Sequence, residues 1–122
     1  MDAERVLVVG LDPYRVPGPW DPAPIADGIE AGRRRFAEHG VPVDLCLVGL
    51  DGSDDVPAVV TAALQRRPWA CVVIGGGIRG DEALFEDVVN LVHRHAPGAA
   101  IAFSARPEQT YDAAARRLGL PG

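Results

Sequence analysis

The sequence contains no lysine, and all twelve of its basic residues are arginine. This absence excludes a lysine Schiff base and a P-loop that holds phosphate through its lysine. Basic residues also never run longer than Arg33–Arg35, and the formal net charge is −5. A surface that binds nucleic acid or an anionic membrane would need a basic patch, so neither partner is expected.

Long apolar runs are missing as well. No run approaches the roughly 18 residues that a membrane span needs, and Met1–Arg5 leads straight into a strand without a basic leader. We therefore expect a cytoplasmic protein with no membrane partner. Cysteine is scarce: Cys46 and Cys71 each fall inside an apolar run, and neither has metal-ligand spacing to another Cys or His. Both are expected to be buried, inert thiols, and no metal site is expected.

The composition is that of a globular domain. Hydrophobic residues make up 48% of the 122 residues and charged residues 24%, so the chain is long enough and apolar enough for one two-sided core. We see no linker, no second domain and no low-complexity tract. A single domain over residues 1–122 is expected.

The stretch Ala70–Glu82 sets the pattern for the rest of the chain. Five apolar residues run into Gly75, Gly76 and Gly77, and a helical pattern opens at Asp81. A short apolar run that ends at glycine is typical of a strand buried on both faces of a parallel sheet. The glycines permit a sharp turn, through positive φ if needed, and leave bare backbone N–H groups before the next helix.

This strand-to-helix unit occurs four times. Strands are predicted at 5–10, 43–48, 70–74 and 99–103, and helices at 24–39, 53–67, 82–95 and 107–118. Right-handed crossovers and short connections favour the strand order 2-1-3-4. The expected fold is a doubly wound four-stranded parallel sheet, (βα)4, in a three-layer α/β/α arrangement. Gly28 and Gly32 lie near the inner stripe of the first helix and predict a close approach of that helix to the sheet.

The segment 11–24 holds five prolines and cannot be regular structure. It is longer than the usual strand-to-helix loop of about 2–6 residues, and it carries Tyr14, Arg15 and Trp20. We interpret it as an ordered flap over the strand ends. The alternative is a packed loop whose tryptophan merely plugs the edge of the core.

In open parallel sheets, ligands bind beyond the carboxyl ends of the strands, at the switch point. The residues predicted to form this site are Asp12, Tyr14, Arg15, Gly75, Gly76, Gly77, Arg79, Ser104 and Arg106. Three arginines and the bare glycine amides suit an anionic small molecule. Asp12 is the predicted catalytic acid or base, with Tyr14 beside it, because a flap that excludes water would raise the pKa of this carboxyl. The alternative role for Asp12 is that of an Asp-Pro turn former.

Other chemistries fit the sequence less well. The run Gly75–Gly80 matches G-x-G-x-x-G, but it follows the third strand, and the next strand ends in Ser104 rather than in an acid. Dinucleotide binding is therefore disfavoured, and no cofactor is predicted. The three histidines all lie at the far ends of helices, and no G-x-S-x-G motif exists. Receiver-type phosphorylation would need an Asp where Gly75 stands.

The segments Leu7–Pro13 and Cys71–Arg79, together with Leu84-Phe-Glu and Asn90-Leu-Val, resemble a group of small uncharacterised proteins of bacteria and fungi. The resemblance covers nearly the whole chain. It implies a Rossmann-like α/β fold with flavodoxin-like strand order, and it implies no activity.

Two hypotheses about function follow. The first is a small-molecule enzyme or ligand-binding protein for an anionic metabolite, with acid/base chemistry of the lyase or isomerase type. The alternative is a non-catalytic interaction module that uses the Pro-rich flap and a sheet edge. The first expects Asp12, Arg79 and Arg106 to converge on one pocket, and the second expects a flat, apolar, exposed patch around Trp20. A homodimer is also expected, because strand 99–103 has no charge to protect its edge.

Overall fold

The computed structural model describes residues 4–122. Residues 1–3 lie outside the described residues. The predicted domain includes them, and the expectation of no leader also concerns them. The regular elements are β1 (Val6–Leu11), α1 (Ala23–Glu38), β2 (Val43–Val48), α2 (Val56–Gln65), β3 (Cys71–Ile74), α3 (Gly76–Arg79), α4 (Glu82–His95), β4 (Ala100–Phe103) and α5 (Thr110–Leu118), with 3₁₀ turns at Pro13–Arg15 and Pro107–Gln109. None of the helices in this part of the chain has both the length and the apolar character that a bilayer crossing requires.

The four strands form one parallel sheet in the order β2-β1-β3-β4, which confirms the predicted fold class and strand order. Val6 of β1 lies opposite Val43 of β2 and Cys71 of β3. Both inner strands alternate their side chains between two separate apolar cores. Helices α2 and α4 cover one face of the sheet and helices α1 and α5 the other, so the domain has three layers.

Two helices are capped by aspartates, α2 by Asp55 and α4 by Asp81. Asp55 Oδ1 accepts a hydrogen bond from the Ala58 amide at 3.1 Å, and Asp81 Oδ1 accepts one from the Leu84 amide, also at 3.1 Å. Each cap satisfies an amide that the first helical turn leaves without a partner. The last helix starts later than predicted, because the backbone first forms the 3₁₀ turn Pro107–Gln109. The single turn α3 was not predicted.

The helix α1 does make a close approach, but not to the sheet. A Cβ added at Gly32 would overlap the carbonyl oxygen of Pro107, and one added at Gly28 would lie 2.9 Å from Pro107 Cγ. The neighbour that needs these glycines is therefore the 3₁₀ turn before α5. At these two glycines the expectation of close contact with the sheet is wrong, because the atoms nearest to them belong to residues 107–110 and not to a strand.

Both cysteines are unpaired and buried, as predicted. Burial raises the pKa of the Cys71 thiol to about 11 and also raises that of Cys46. Because thiolates are the reactive species, we expect neither residue to react with a thiol reagent until the protein unfolds. Mass spectrometry after labelling with and without denaturant checks this. Rapid double labelling of the native protein would contradict the burial of β2 and β3.

A candidate apolar ligand pocket

A pocket of about 300 Å³ opens at the carboxyl edge of the sheet, on the face covered by α1. It lies at the point where β1 is flanked by β2 on one side and β3 on the other, which is the switch point of the sheet. Its lining is drawn from four parts of the chain: the strands (Val8, Gly10, Leu11, Leu45, Leu47), the Pro-rich loop and α1 (Pro13, Val16, Trp20, Ile25, Ile29), the glycine turn (Gly75, Gly76, Gly77) and the segment before α5 (Ala105, Pro107, Thr110).

The apolar stripe of α1 divides into two parts. Gly32 and Phe36 are buried in the core, whereas Ile25 is 41% exposed and lines the pocket together with Ile29. The first turns of α1 therefore form a wall of the pocket instead of filling the core.

Trp20 forms another wall, and the absence of a side chain at Gly18 leaves room for its indole. A Cβ at Gly18 would lie 2.7 Å from Trp20 Cδ1, and the φ of Gly18 is +151°, a value that L side chains rarely adopt. Trp20 remains 40% exposed. The loop is thus an ordered flap beside the strand ends, and its tryptophan borders the pocket rather than plugging the core.

The residues that line the pocket are mostly apolar. Gly75 precedes α3 and has no side chain to cap it, and among residues 4–122 the N–H groups of Gly76 and Gly77 have no hydrogen-bond acceptor. The Thr110 hydroxyl donates to the Pro107 carbonyl at 3.1 Å. No titratable side chain of the described residues contributes to the lining. The arrangement suits an apolar ligand with one hydrogen-bond acceptor.

The glycine turn also has packing reasons for its composition. Gly75 has a φ of −74°, and neither Gly76 nor Gly77 has a positive φ. A Cβ at Gly76 would overlap the Ala105 carbonyl oxygen, and one at Gly77 would lie 2.9 Å from Leu11 Cδ1. Gly76 is therefore required by a backbone neighbour, whereas at Gly77 the close neighbour is a leucine side chain that can move, and positive φ plays no part at either residue.

Asp12, the predicted acid or base, does not line the pocket. Its Oδ1 accepts from the Tyr14 amide at 3.0 Å, and its Oδ2 accepts from Arg15 Nε at 2.9 Å. The hydrogen bond from the Arg15 guanidinium lowers the pKa of the Asp12 carboxyl. The expected rise in its pKa is wrong, because the flap supplies a cation to Asp12 rather than a dry apolar cover. Tyr14 is 67% exposed and also lies outside the pocket.

Arg15 anchors the flap to the loop after β2. Besides its bond to Asp12, its guanidinium donates to Asp54 Oδ2 at 2.8 Å, Ser53 Oγ at 3.2 Å and the Leu47 carbonyl at 3.2 Å. The Leu50 amide donates to the Arg15 carbonyl at 2.9 Å. With four side-chain bonds inside the protein, Arg15 holds the rim of the pocket in place and has little capacity left for a ligand.

The other predicted ligands lie elsewhere. Arg79 and Ser104 line a second depression at the end of β4, and Arg106 faces solvent with Nε 3.4 Å from Glu108 Oε1. Of the nine predicted site residues, the structure brings only Gly75, Gly76 and Gly77 to the apolar pocket. Asp12, Arg79 and Arg106 do not converge, because each is held by a different neighbour. The surface around Trp20 is concave rather than flat.

The ion pair of Asp12 gives a prediction for stability against pH. Its lowered pKa means that the ionised carboxylate stabilises the fold above its ordinary pKa of 3.8, and that this contribution is lost as the pH falls below that value. Asp12→Asn keeps an acceptor for the Tyr14 amide but removes the charge. Urea denaturation should show a deficit for the variant at neutral pH that shrinks below about pH 3.8. A deficit that is constant with pH would contradict the pairing.

No protein-family model matches this chain, and no curated protein matches its sequence. The fold and the pocket define the class: an open, all-parallel α/β domain with helices on both faces and a cavity beyond its strand ends. Within residues 4–122, no three His, Cys, Asp or Glu side chains come together as a metal site. The resemblance to small bacterial and fungal proteins stays a prediction.

Proposed function

We propose that this protein binds a compact small molecule with an apolar body and one anionic end, in the pocket at the switch point. The observation that carries the proposal is a cavity of about 300 Å³ with mostly apolar walls, lined in part by Gly76 and Gly77, whose amides have no acceptor among the described residues. Ligand pockets are typically about 300–1,000 Å³ and mostly apolar, with a few polar groups that fix orientation. This volume is at the small end of that range, which favours a compact ligand over a dinucleotide.

The two parts of the ligand would contact different walls. Ile25, Ile29 and Leu47 offer apolar surface that gains about 25 cal/mol for each Å² removed from water. The amides of Gly76 and Gly77 would donate to a carboxylate or phosphate oxygen, and bonds to a charged acceptor are about twice as strong as neutral ones. Because the lining has no acid or base among the described residues, this geometry favours binding over acid/base catalysis.

Trp20 provides a direct readout of the pocket. The second tryptophan, Trp69, is buried elsewhere and donates its indole N–H to the Ala63 carbonyl at 3.0 Å, so Trp69→Phe would leave Trp20 as the sole tryptophan, which can be excited selectively. We expect hexanoate and benzoate to change its fluorescence saturably, with affinities about tenfold above those of hexanamide and benzamide. The absence of a saturable change with all four compounds would remove the proposal. Equal affinities for the acids and the amides would contradict only the claim that the ligand has an anionic end.

One observation favours the interaction module as a second candidate. The flap presents Tyr14 with 67% of its surface exposed. Large aromatic side chains of this kind are enriched at protein interfaces. Tyr14→Ala separates the two candidates, since it should leave carboxylate binding unchanged and should abolish capture of a protein partner.

We also propose that the protein is a cytoplasmic homodimer. Strand β4 is an edge strand without a charged side chain, and its Phe103 is 40% exposed. Such edges are usually paired or covered, and two-fold dimers are the commonest solution. Light scattering should give twice the mass of one chain, and a single-chain mass at high concentration would contradict this. Two unpaired cysteine thiols support a reducing compartment.

A further inference from the structure

We propose a second ligand site, an oxyanion site at the carboxyl end of β4, formed by Arg79, Ser104, Gln109 and Arg116. These residues line a depression of about 380 Å³. Ala105 borders both this depression and the apolar pocket, but the four residues named line only the depression. The inference therefore does not rest on the proposed function. The ligand class is a small tetrahedral oxyanion, either free phosphate or the phosphate group of a monoester.

The two arginines meet at one residue. The guanidinium carbon of Arg79 lies 5.5 Å from the centroid of the Phe103 ring, and Arg116 Nη2 donates to the Phe103 carbonyl at 3.2 Å. Within residues 4–122, neither arginine forms an ion pair. Both guanidinium groups line the depression without a carboxylate of their own, and a bound anion would balance their charges. Most of the donors of Arg116 remain available.

Ser104 is the independent sign of a ligand. The residue is only 3% exposed, and its Oγ has no hydrogen-bond partner among the described residues. Buried hydroxyls nearly always have a partner, because water is no longer there to supply one. Ser104 lines the depression together with its chain neighbours, Phe103 and Ala105. An oxyanion oxygen there would accept the bond that the protein leaves unmade.

One carboxylate also lines the depression, and it does not cancel the positive charge. Asp112 Oδ2 lies 2.8 Å from Arg35 Nη1, so its charge is already balanced from α1. Gln109 adds an amide group with two further donors. The remaining charge is that of Arg79 and Arg116. This favours a dianion such as phosphate over a monocarboxylate.

Titration with inorganic phosphate by calorimetry, at constant ionic strength, tests the site. We expect Arg116→Met to weaken phosphate binding at least tenfold and Ser104→Ala to weaken it about threefold or more. Arg106→Met is the matched control, because Arg106 is a nearby exposed arginine outside the depression, and it should bind phosphate as the wild type does. Ser104→Ala without phosphate should be at least as stable as the wild type, since it removes only an unpaired buried hydroxyl.

Further ligands identify the source of the phosphate group. Glycerol phosphate that binds more tightly than free phosphate would assign the site to a monoester, and the reverse order would assign it to free phosphate. Acetate should bind at least tenfold more weakly than either. Equal losses in Arg116→Met and Arg106→Met, or acetate as strong as phosphate, would overturn the site and indicate diffuse charge attraction. Trp20 fluorescence should not respond to phosphate, so failure here is distinguishable from failure of the apolar pocket.

Discussion

Ile29→Trp should abolish carboxylate binding while leaving the protein at least as stable as the wild type. Ile29 is half-buried on α1 and lines the pocket. An indole there would occupy a large part of a space of about 300 Å³ that the fold does not fill. Overpacking costs about 1–3 kcal/mol where a core is already dense, but here the added ring enters unfilled apolar space. We expect hexanoate and benzoate to bind more than 100-fold more weakly, which corresponds to about 2.7 kcal/mol.

The control for this variant is Asp27→Trp. Asp27 is exposed two residues earlier on the same helix and is not part of the pocket lining, so the variant adds the same ring without filling the pocket. Calorimetric titration of both variants with benzoate separates the effects. Undiminished binding by Ile29→Trp would show that carboxylates bind elsewhere. A loss of stability in Ile29→Trp alone would show that the pocket is not available space.

The fold could be predicted because each level of the sequence favours the same structure. Four apolar runs end at glycine or turn residues, helical patterns follow them, and Asp55 and Asp81 stand where caps are needed. Right-handed crossovers then leave few strand orders. The turns α3 and Pro107–Gln109 could not be read this way, because a single turn is too short to show a period.

The site was predicted only in part, for reasons that individual residues show. The glycine turn was found because Gly75 follows a strand that is buried on both faces. The roles of Asp12 and Arg15 were not predicted. Arg15 binds a second acid, Asp54, which lies thirty-nine residues away in the sequence. Sequence spacing alone cannot show that a guanidinium is already occupied.

The pocket walls could not be predicted from sequence for another reason. Ile25 and Ile29 have the spacing of core residues, and a stripe that lines a cavity has the same period as one that fills a core. The available signal was the neighbouring loop, where Trp20 follows several prolines just before α1. An apolar helix start beside a rigid aromatic loop is consistent with either packing or a binding wall.

Gly32→Ala should destabilise the protein even though alanine is the better helix former. The gain in helix propensity is about 1 kcal/mol, but the new methyl group would overlap the Pro107 carbonyl oxygen and lie 3.0 Å from Thr110 Oγ1. Separating α1 from this backbone should cost more than the gain, giving a net loss of about 1–3 kcal/mol in the free energy of unfolding.

Gly98→Ala is the matched control, since nothing lies within 4 Å of its added Cβ, and it should change stability by no more than about 0.5 kcal/mol. Because Pro107 and Thr110 also line the pocket, the Gly32 variant should bind benzoate more weakly as well. Urea denaturation and benzoate titration measure the two effects, and a Gly32→Ala protein more stable than the wild type would show that α1 does not need its close contact with this turn.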